Sequence, residues 1–171
     1  MRRFASILLG LVAAASASPY PQAVTSAIAP AAPAPSGCHA SYAGEFGMAI
    51  RMKRADSDST PVACRNNNTL TMTLSNTIMK DDKQRTAYIA SNRQFQFDGP
   101  PQAGAIYTAG FSVCDDDTIA LGGSKTFYQC LSGTFYNLYD QSIGGQCGPV
   151  QMRFIKLEDC DEGQGVIGKD V

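Results

Sequence analysis

Six cysteines, at positions 38, 64, 114, 130, 147 and 160, are the residues of this 171-residue chain best equipped for chemistry. Thiols can hold zinc, act as nucleophiles or oxidise in pairs. A zinc site asks for close pairs such as C-x2-C, commonly with histidines nearby. No two of Cys38, Cys64, Cys114, Cys130, Cys147 and Cys160 stand that close, and His39 is the only histidine, so no metal and no other cofactor is expected. That lone His39, beside Cys38, also leaves no histidine partner for a nucleophilic triad, and no Gly-x-Ser-x-Gly elbow occurs. The remaining chemistry is oxidation to three disulfides, in one of 15 pairings that spacing alone does not distinguish. Glycoside hydrolysis would need two carboxylates facing each other across a cleft. Most acids here sit in turn clusters such as Asp115-Asp116-Asp117, or near the tail at Asp159, Asp161 and Glu162. No spacing singles out a pair, and no catalytic residue is assigned.

Disulfides require an oxidising compartment, and the N-terminus provides the route. Arg2 and Arg3 form a basic region, Ile7 to Ala15 an apolar one, and Ala15-Ser16-Ala17 the small residues of a cleavage site, so residues 1–17 read as a secretory signal. The apolar run is too short for a bilayer span, which takes about 20 residues. Loss of Arg2 and Arg3 leaves 12 basic against 15 acidic residues. That balance gives no reason to bind nucleic acid or an anionic membrane. Residues 18–37 are rich in Pro, Ala and Ser, including Ala29-Pro30-Ala31-Ala32-Pro33-Ala34-Pro35. They read as a disordered spacer with extended, semi-rigid backbone, and a domain is expected to begin at Cys38. Asn67-Asn68-Thr69 is an acceptor for N-glycosylation at Asn67.

Cysteines pair only if the backbone brings them together, and the signals from residue 38 onward are those of strands and turns. Leu70, Met72 and Leu74 alternate with Thr71 and Thr73, and Phe95 and Phe97 with Gln94 and Gln96. Residues Ile106 to Val113 and Phe127 to Cys130 are aromatic and β-branched. Turn formers separate them: Asp98-Gly99-Pro100-Pro101, Asp115-Asp116-Asp117, Gly122-Gly123, Ser132-Gly133 and Gly144-Gly145. No dozen-residue window outside the signal keeps a 3.6-residue apolar period. The expected fold is all-β: a single disulfide-stapled domain, a small barrel or β-trefoil-like, with a β-sandwich as the alternative. Phe135, Tyr136, Asn137 and Tyr139 offer the aromatic and amide groups of a sugar-binding face, although aromatics alternating along a strand more often pack into a core.

The spacing of Cys64, Cys130, Cys147 and Cys160, with 65, 16 and 12 residues between them, resembles the four-cysteine C-terminal domain of the fungal PIR cell-wall proteins, the proteins with internal repeats. So do the runs from Ser91 to Tyr107 and from Phe127 to Asp140. The resemblance implies that residues 38–171 form a PIR-like β domain of a secreted, non-enzymatic mannoprotein of the fungal wall, contributing to wall organisation and strength, with β-1,3-glucan as its polysaccharide. Two competing readings are a lectin-like β-glucan-binding module and a wall-remodelling glycoside hydrolase. The chain departs from the family pattern in two ways. The glutamine motif S-Q-[IV]-x-D-G-Q-[IV]-Q has no copy here, and Pro21-Gln22-Ala23-Val24-Thr25 lacks its essential parts; disulfides to other wall proteins are the alternative attachment that the resemblance implies. Cys38 and Cys114 stand outside the four-cysteine pattern, and a bond between them would tie the entry of the domain to its middle. Lys53-Arg54 matches the family's dibasic processing site, the alternative being an exposed loop end after a strand at Met48 to Met52.

Overall fold

The computed structural model describes residues 23–52, 62–66 and 69–160. Among them are twelve strands and no helix: β1 (Cys38–His39), β2 (Tyr42–Met52), β3 (Val62–Cys64), β4 (Met72–Ser75), β5 (Ile78–Asp81), β6 (Thr86–Ile89), β7 (Phe95–Asp98), β8 (Phe111–Cys114), β9 (Thr118–Leu121), β10 (Phe127–Ser132), β11 (Phe135–Tyr139) and β12 (Cys147–Glu158). The expected alternation holds on β4, where Met72 and Leu74 are buried and Thr73 and Ser75 exposed. The run Ile106 to Val113 is only partly strand, since β8 begins at Phe111.

All the strands belong to one sheet, ordered β1-β8-β9-β12-β2-β4-β5-β6-β7. The longest strand, β12, organises it. One edge of β12 pairs with β2 from Val150 to Lys156. The other edge is shared in turn by β10, by β9 at Met152 and Arg153, and by β3, the last in parallel. An isolated pair, Gln94 opposite Tyr139, links the residue before β7 to β11. The path from β12 through β2, β4, β5, β6 and β7 thus returns through β11 and β10 to β12. The result is an open sheet curled into a barrel-like ring, whose last junction is one bridge rather than a ladder. β4 pairs with β2 and β5, while β9 pairs with β8 and β12.

Inside the ring lie Phe46, Met72, Met79, Ile89, Phe111, Phe127, Val150 and Met152, all fully or almost fully buried. Phe46, Tyr42 and Phe154 form an aromatic cluster with ring centroids 4.8 to 5.7 Å apart. Burying a side chain of this size removes apolar surface worth about 1.5–3 kcal/mol each. Turn chemistry sets the register: Asn76 and Thr77 both take positive φ, 48° and 67°, as a two-residue hairpin loop requires. A β-branched residue resists that conformation, and the Thr77 backbone is held from both sides, its N–H donating to the Ala40 carbonyl at 2.7 Å and its carbonyl accepting from Phe111 N–H at 3.1 Å.

The Pro/Ala-rich stretch departs from expectation. Residues 23–37 are not a spacer standing off the domain but an extended arm laid along it. Val24 N–H donates to Pro101 O at 3.0 Å, Ile28 N–H donates to Thr108 Oγ1 at 2.9 Å, and Thr108 N–H donates back to Ile28 O at 2.8 Å. Thr108 Oγ1 donates to Ser26 O at 2.8 Å. Val24 packs on the small cluster of Tyr88, Ala90 and Ala105. Pro30 fits because the domain has glycines beneath it: a Cβ on Gly110 would come within 2.5 Å of Pro30 Cδ, and one on Gly122 within 2.7 Å of Pro30 Cβ.

Candidate functional site: disulfides, hairpin and cleft

All six cysteines are paired. Cys38 bonds to Cys114, Cys64 to Cys160 and Cys130 to Cys147. Two of these bonds join residues directly opposite each other in antiparallel ladders, β1 with β8 and β10 with β12. The third ties the end of β3 to the segment just past β12, two residues beyond the Glu158 that faces Cys64. The four cysteines of the spaced set pair among themselves, and the two outside it pair with each other. No thiol is left over for a second protein.

The expected sugar-binding face does not form one platform. Neighbouring residues on a strand point to opposite sides of the sheet, so Phe135, Asn137 and Tyr139 of β11 face one way and Tyr136 the other. Tyr139 is buried, whereas Phe135 and Tyr136 are each 58% exposed at the hairpin tip. Tyr136 lies opposite Leu131. Nearby amides are engaged elsewhere: Gln96 accepts a hydrogen bond from the Tyr88 hydroxyl at 2.7 Å and Gln129 donates to Met52 Sδ at 3.2 Å. Asn67, Lys53, Arg54, Gln22 and the signal segment 1–17 lie outside the described residues.

The acidic turn is accounted for by local pairs. Asp115 faces His39 at 2.9 Å, Asp116 faces Lys125 at 2.8 Å and Asp117 faces Arg153 at 3.6 Å. Asp116 Oδ1 also accepts from the Thr118 hydroxyl and N–H, closing the turn into β9. These carboxylates hold loops and do not converge on a common point.

A different place brings polar groups together. A half-open cleft of about 370 Å³ lies where the arm crosses the sheet. Pro30 and Ala32 of the arm and Leu121 give it apolar walls; Tyr107 and Phe127 add aromatic surface, and Ser124, Thr126 and Asp140 add polar groups. Asp140 follows β11, its side chain only 12% exposed. Its Oδ2 accepts from Arg93 Nη1 at 3.0 Å and its backbone N–H donates to the Arg93 carbonyl at 3.2 Å. Its Oδ1 is buried without a partner in the protein. Burial pushes the Asp140 carboxyl above its ordinary range, and the Arg93 guanidinium offsets this only in part. Arg93 itself takes a left-handed φ of 74°, with its N–H donating to Ala90 O at 2.9 Å. Sequence reasoning missed this site: its parts come from four separate stretches, and an aspartate after an aromatic strand carries no local signal.

Among the described residues, Asp140 is the one carboxylate that lines this cleft. Known proteins resemble part of the chain. Residues 77–150 match the family described as cell wall mannoprotein PIR1-like, C-terminal domain. The chain is 57% identical over 99 residues to cell wall protein PIR5 of Saccharomyces cerevisiae strain YJM789, an alignment covering 57% of this chain and 34% of that protein. It is 54% identical over 99 residues to cell wall mannoprotein CIS3 of S. cerevisiae strain ATCC 204508 / S288c, covering 57% and 44% respectively. The chain thus spans between a third and a half of the length of these relatives. No solved structure matches. The matches support the PIR family for this domain and, with it, a secreted fungal cell-wall location.

Proposed function

We propose that this protein is a non-enzymatic structural constituent of the fungal cell wall, which contributes to wall organisation and strength through contact with β-1,3-glucan. The observation that carries the reading is the match to cell-wall mannoproteins over residues 77–150, a stretch that holds most of the curled sheet. Three disulfides distributed over one sheet suit a load-bearing part in an oxidising, protease-rich environment. With every cysteine bonded inside the chain, disulfide attachment to another wall protein would require one of these bonds to open. Within this reading, Asn67 carries a glycan. Lys53-Arg54, which follow the last residue of β2 in sequence, are a dibasic pair for a processing protease.

Sequential extraction of intact walls tests the proposal. Retention in the wall fraction through washes with neutral buffer, followed by release with glucanase, is the expected result; complete release by neutral buffer would overturn it. A lectin-like reading draws on the half-exposed Phe135 and Tyr136, and predicts elution by free gluco-oligosaccharide.

A further inference from the structure

We propose that the cleft between the arm and the sheet is a carbohydrate subsite that seats one neutral hexopyranose residue, with Asp140 accepting its hydroxyls. The inference deepens the wall-constituent reading and rests on it for the choice of ligand class. It does not use the hairpin aromatics.

The ligand chemistry follows from the lining. Asp140 Oδ1 is an acceptor without a donor, and a buried polar atom left so costs about 1–3 kcal/mol. Orphans of this kind in a folded protein call for a missing partner. An ionised carboxylate only accepts, so the partner must bring O–H or N–H groups. Charge narrows the choice. Arg93 already balances Asp140 at 3.0 Å, so the site is close to neutral overall and gives no net pull to an anion or a cation. Apolar surface from Pro30, Leu121 and the ring of Tyr107, set against hydroxyls at Ser124 and Thr126, matches a pyranose, which has a C–H face and a hydroxyl rim. Volume sets the length: about 370 Å³ lies at the small end of ligand clefts, which run roughly 300–1,000 Å³. That suits one sugar residue and not a polymer strand.

The backbone points to the same place. Arg93 is a non-glycine residue at φ 74°, a conformation that costs about 1–3 kcal/mol and tends to persist where function demands it. It is fixed by Ala90 on one side and by the reciprocal bonds with Asp140 on the other. The arm supplies the remaining wall through Pro30 and Ala32, so the subsite exists only while the arm is docked.

The test is a titration of the secreted, 15N-labelled protein with two probes, a β-1,3-linked glucotriose and an α-1,2-linked mannotriose, followed by amide shifts. The expected result is saturable shifts at Tyr107, Ser124, Thr126 and Asp140 with one of the probes, the responding probe identifying glucan or mannan as the source. Asp140→Asn should weaken binding about tenfold or more, as loss of a charge-assisted hydrogen bond implies, with circular dichroism unchanged. Ser124→Leu, at the exposed rim, should block the cleft and abolish the shifts independently of Asp140. The paired substitution of Phe135 and Tyr136 by alanine should leave binding intact. Absence of shifts with both probes at millimolar concentration would overturn the inference, as would shifts confined to the hairpin. A protein retained in the wall fraction but silent in this titration separates the two claims: the wall reading stands and the cleft does not.

Discussion

The arm is the feature whose energetics can be isolated most cleanly, through Gly122→Ala. At φ +51°, Gly122 sits in the left-handed well, where an alanine costs about 1–2 kcal/mol. The new Cβ would lie 2.7 Å from Pro30 Cβ, 3.0 Å from Pro30 Cγ and 3.1 Å from the Ala32 carbonyl oxygen. A rigid ring and a backbone atom cannot swing aside as a long side chain does, so an overpacking cost of about 1–3 kcal/mol is added while the arm stays in place. The arm can also leave, forfeiting the bonds at Val24, Ser26 and Ile28, so the total is capped by the free energy of docking. The expected loss is about 2–4 kcal/mol in the full mature chain. It should be only about 1–2 kcal/mol in a chain lacking residues 23–36, where Pro30 is gone. The difference, a double-mutant-cycle coupling of about 1–2 kcal/mol, is measured by chemical denaturation with disulfides intact. Hydrogen exchange at Ile28, Thr108 and Ala109 reports the arm directly and should accelerate in Gly122→Ala. Equal losses in both backgrounds, with unchanged exchange, would refute the docked arm and with it the walls of the cleft.

Asp81 should govern part of the acid stability. Its side chain is fully buried; burial alone would raise its pKa, but the Arg85 side chain with the Arg85 and Lys83 N–H groups outweighs this and holds it below the ordinary carboxyl value. A depressed pKa contributes stability above about pH 4 that is lost as pH falls through the folded value; Asp81→Asn should therefore cost about 2–3 kcal/mol at pH 7 and much less near pH 2, by denaturant titration at both. Asp140 has the opposite sign, because its raised pKa means that ionisation opposes folding, and Asp140→Asn should leave the melting temperature at pH 7 equal or higher. Cleavage after Arg54 should release no fragment on a non-reducing column, since β2 stays paired with β12 over seven residues and Cys38 stays bonded to Cys114; reduction with denaturant should release it. Asn67→Gln should remove the mass shift that endoglycosidase produces in the secreted protein.

How much was legible depended on how local the physics is. Alternation at Met72 and Leu74, and the turn at Asp115-Asp116-Asp117, are properties of a few neighbouring residues, and both appear as expected. The even cysteine count implied full pairing without giving partners, because Cys64 and Cys160 meet only through the parallel pairing of β3 with β12. The arm was misread for a physical reason: a Pro/Ala stretch cannot bury a core of its own, but it can fill a groove that others provide. That groove is made of Gly110, Gly122 and Gly123, some 80 to 90 residues further on, where in sequence Gly122-Gly123 read only as a turn and Gly110 as part of the strand run Ile106 to Val113. The cleft was hidden for the same reason. Arg93 and Asp140 are 47 residues apart, and Pro30 is further still.

The disulfides show what kind of object this arrangement makes. They close loops with sequence separations of 76, 96 and 17 residues, and restricting the unfolded chain in this way is worth about 3 kcal/mol for the shortest and about 4.5 kcal/mol for each of the others. Together that rivals the whole net stability of an ordinary domain, about 5–15 kcal/mol. Two of the bonds also hold short strands. Cys38 anchors the two-residue strand β1 and, through it, the arm. Cys64 fixes β3, which holds on through three residue pairs. Cys130 and Cys147 tie the middle of β10 to the first residue of β12, at the end of a ladder of four residue pairs. Two of the bonds thus fasten strands that lie outside the ring, β1 and β3, and the third fastens β10 to β12 within it. A sheet so constrained can carry load through its backbone while keeping a small, preorganised site on its surface. That combination is what the proposed wall role and the proposed sugar subsite would both require.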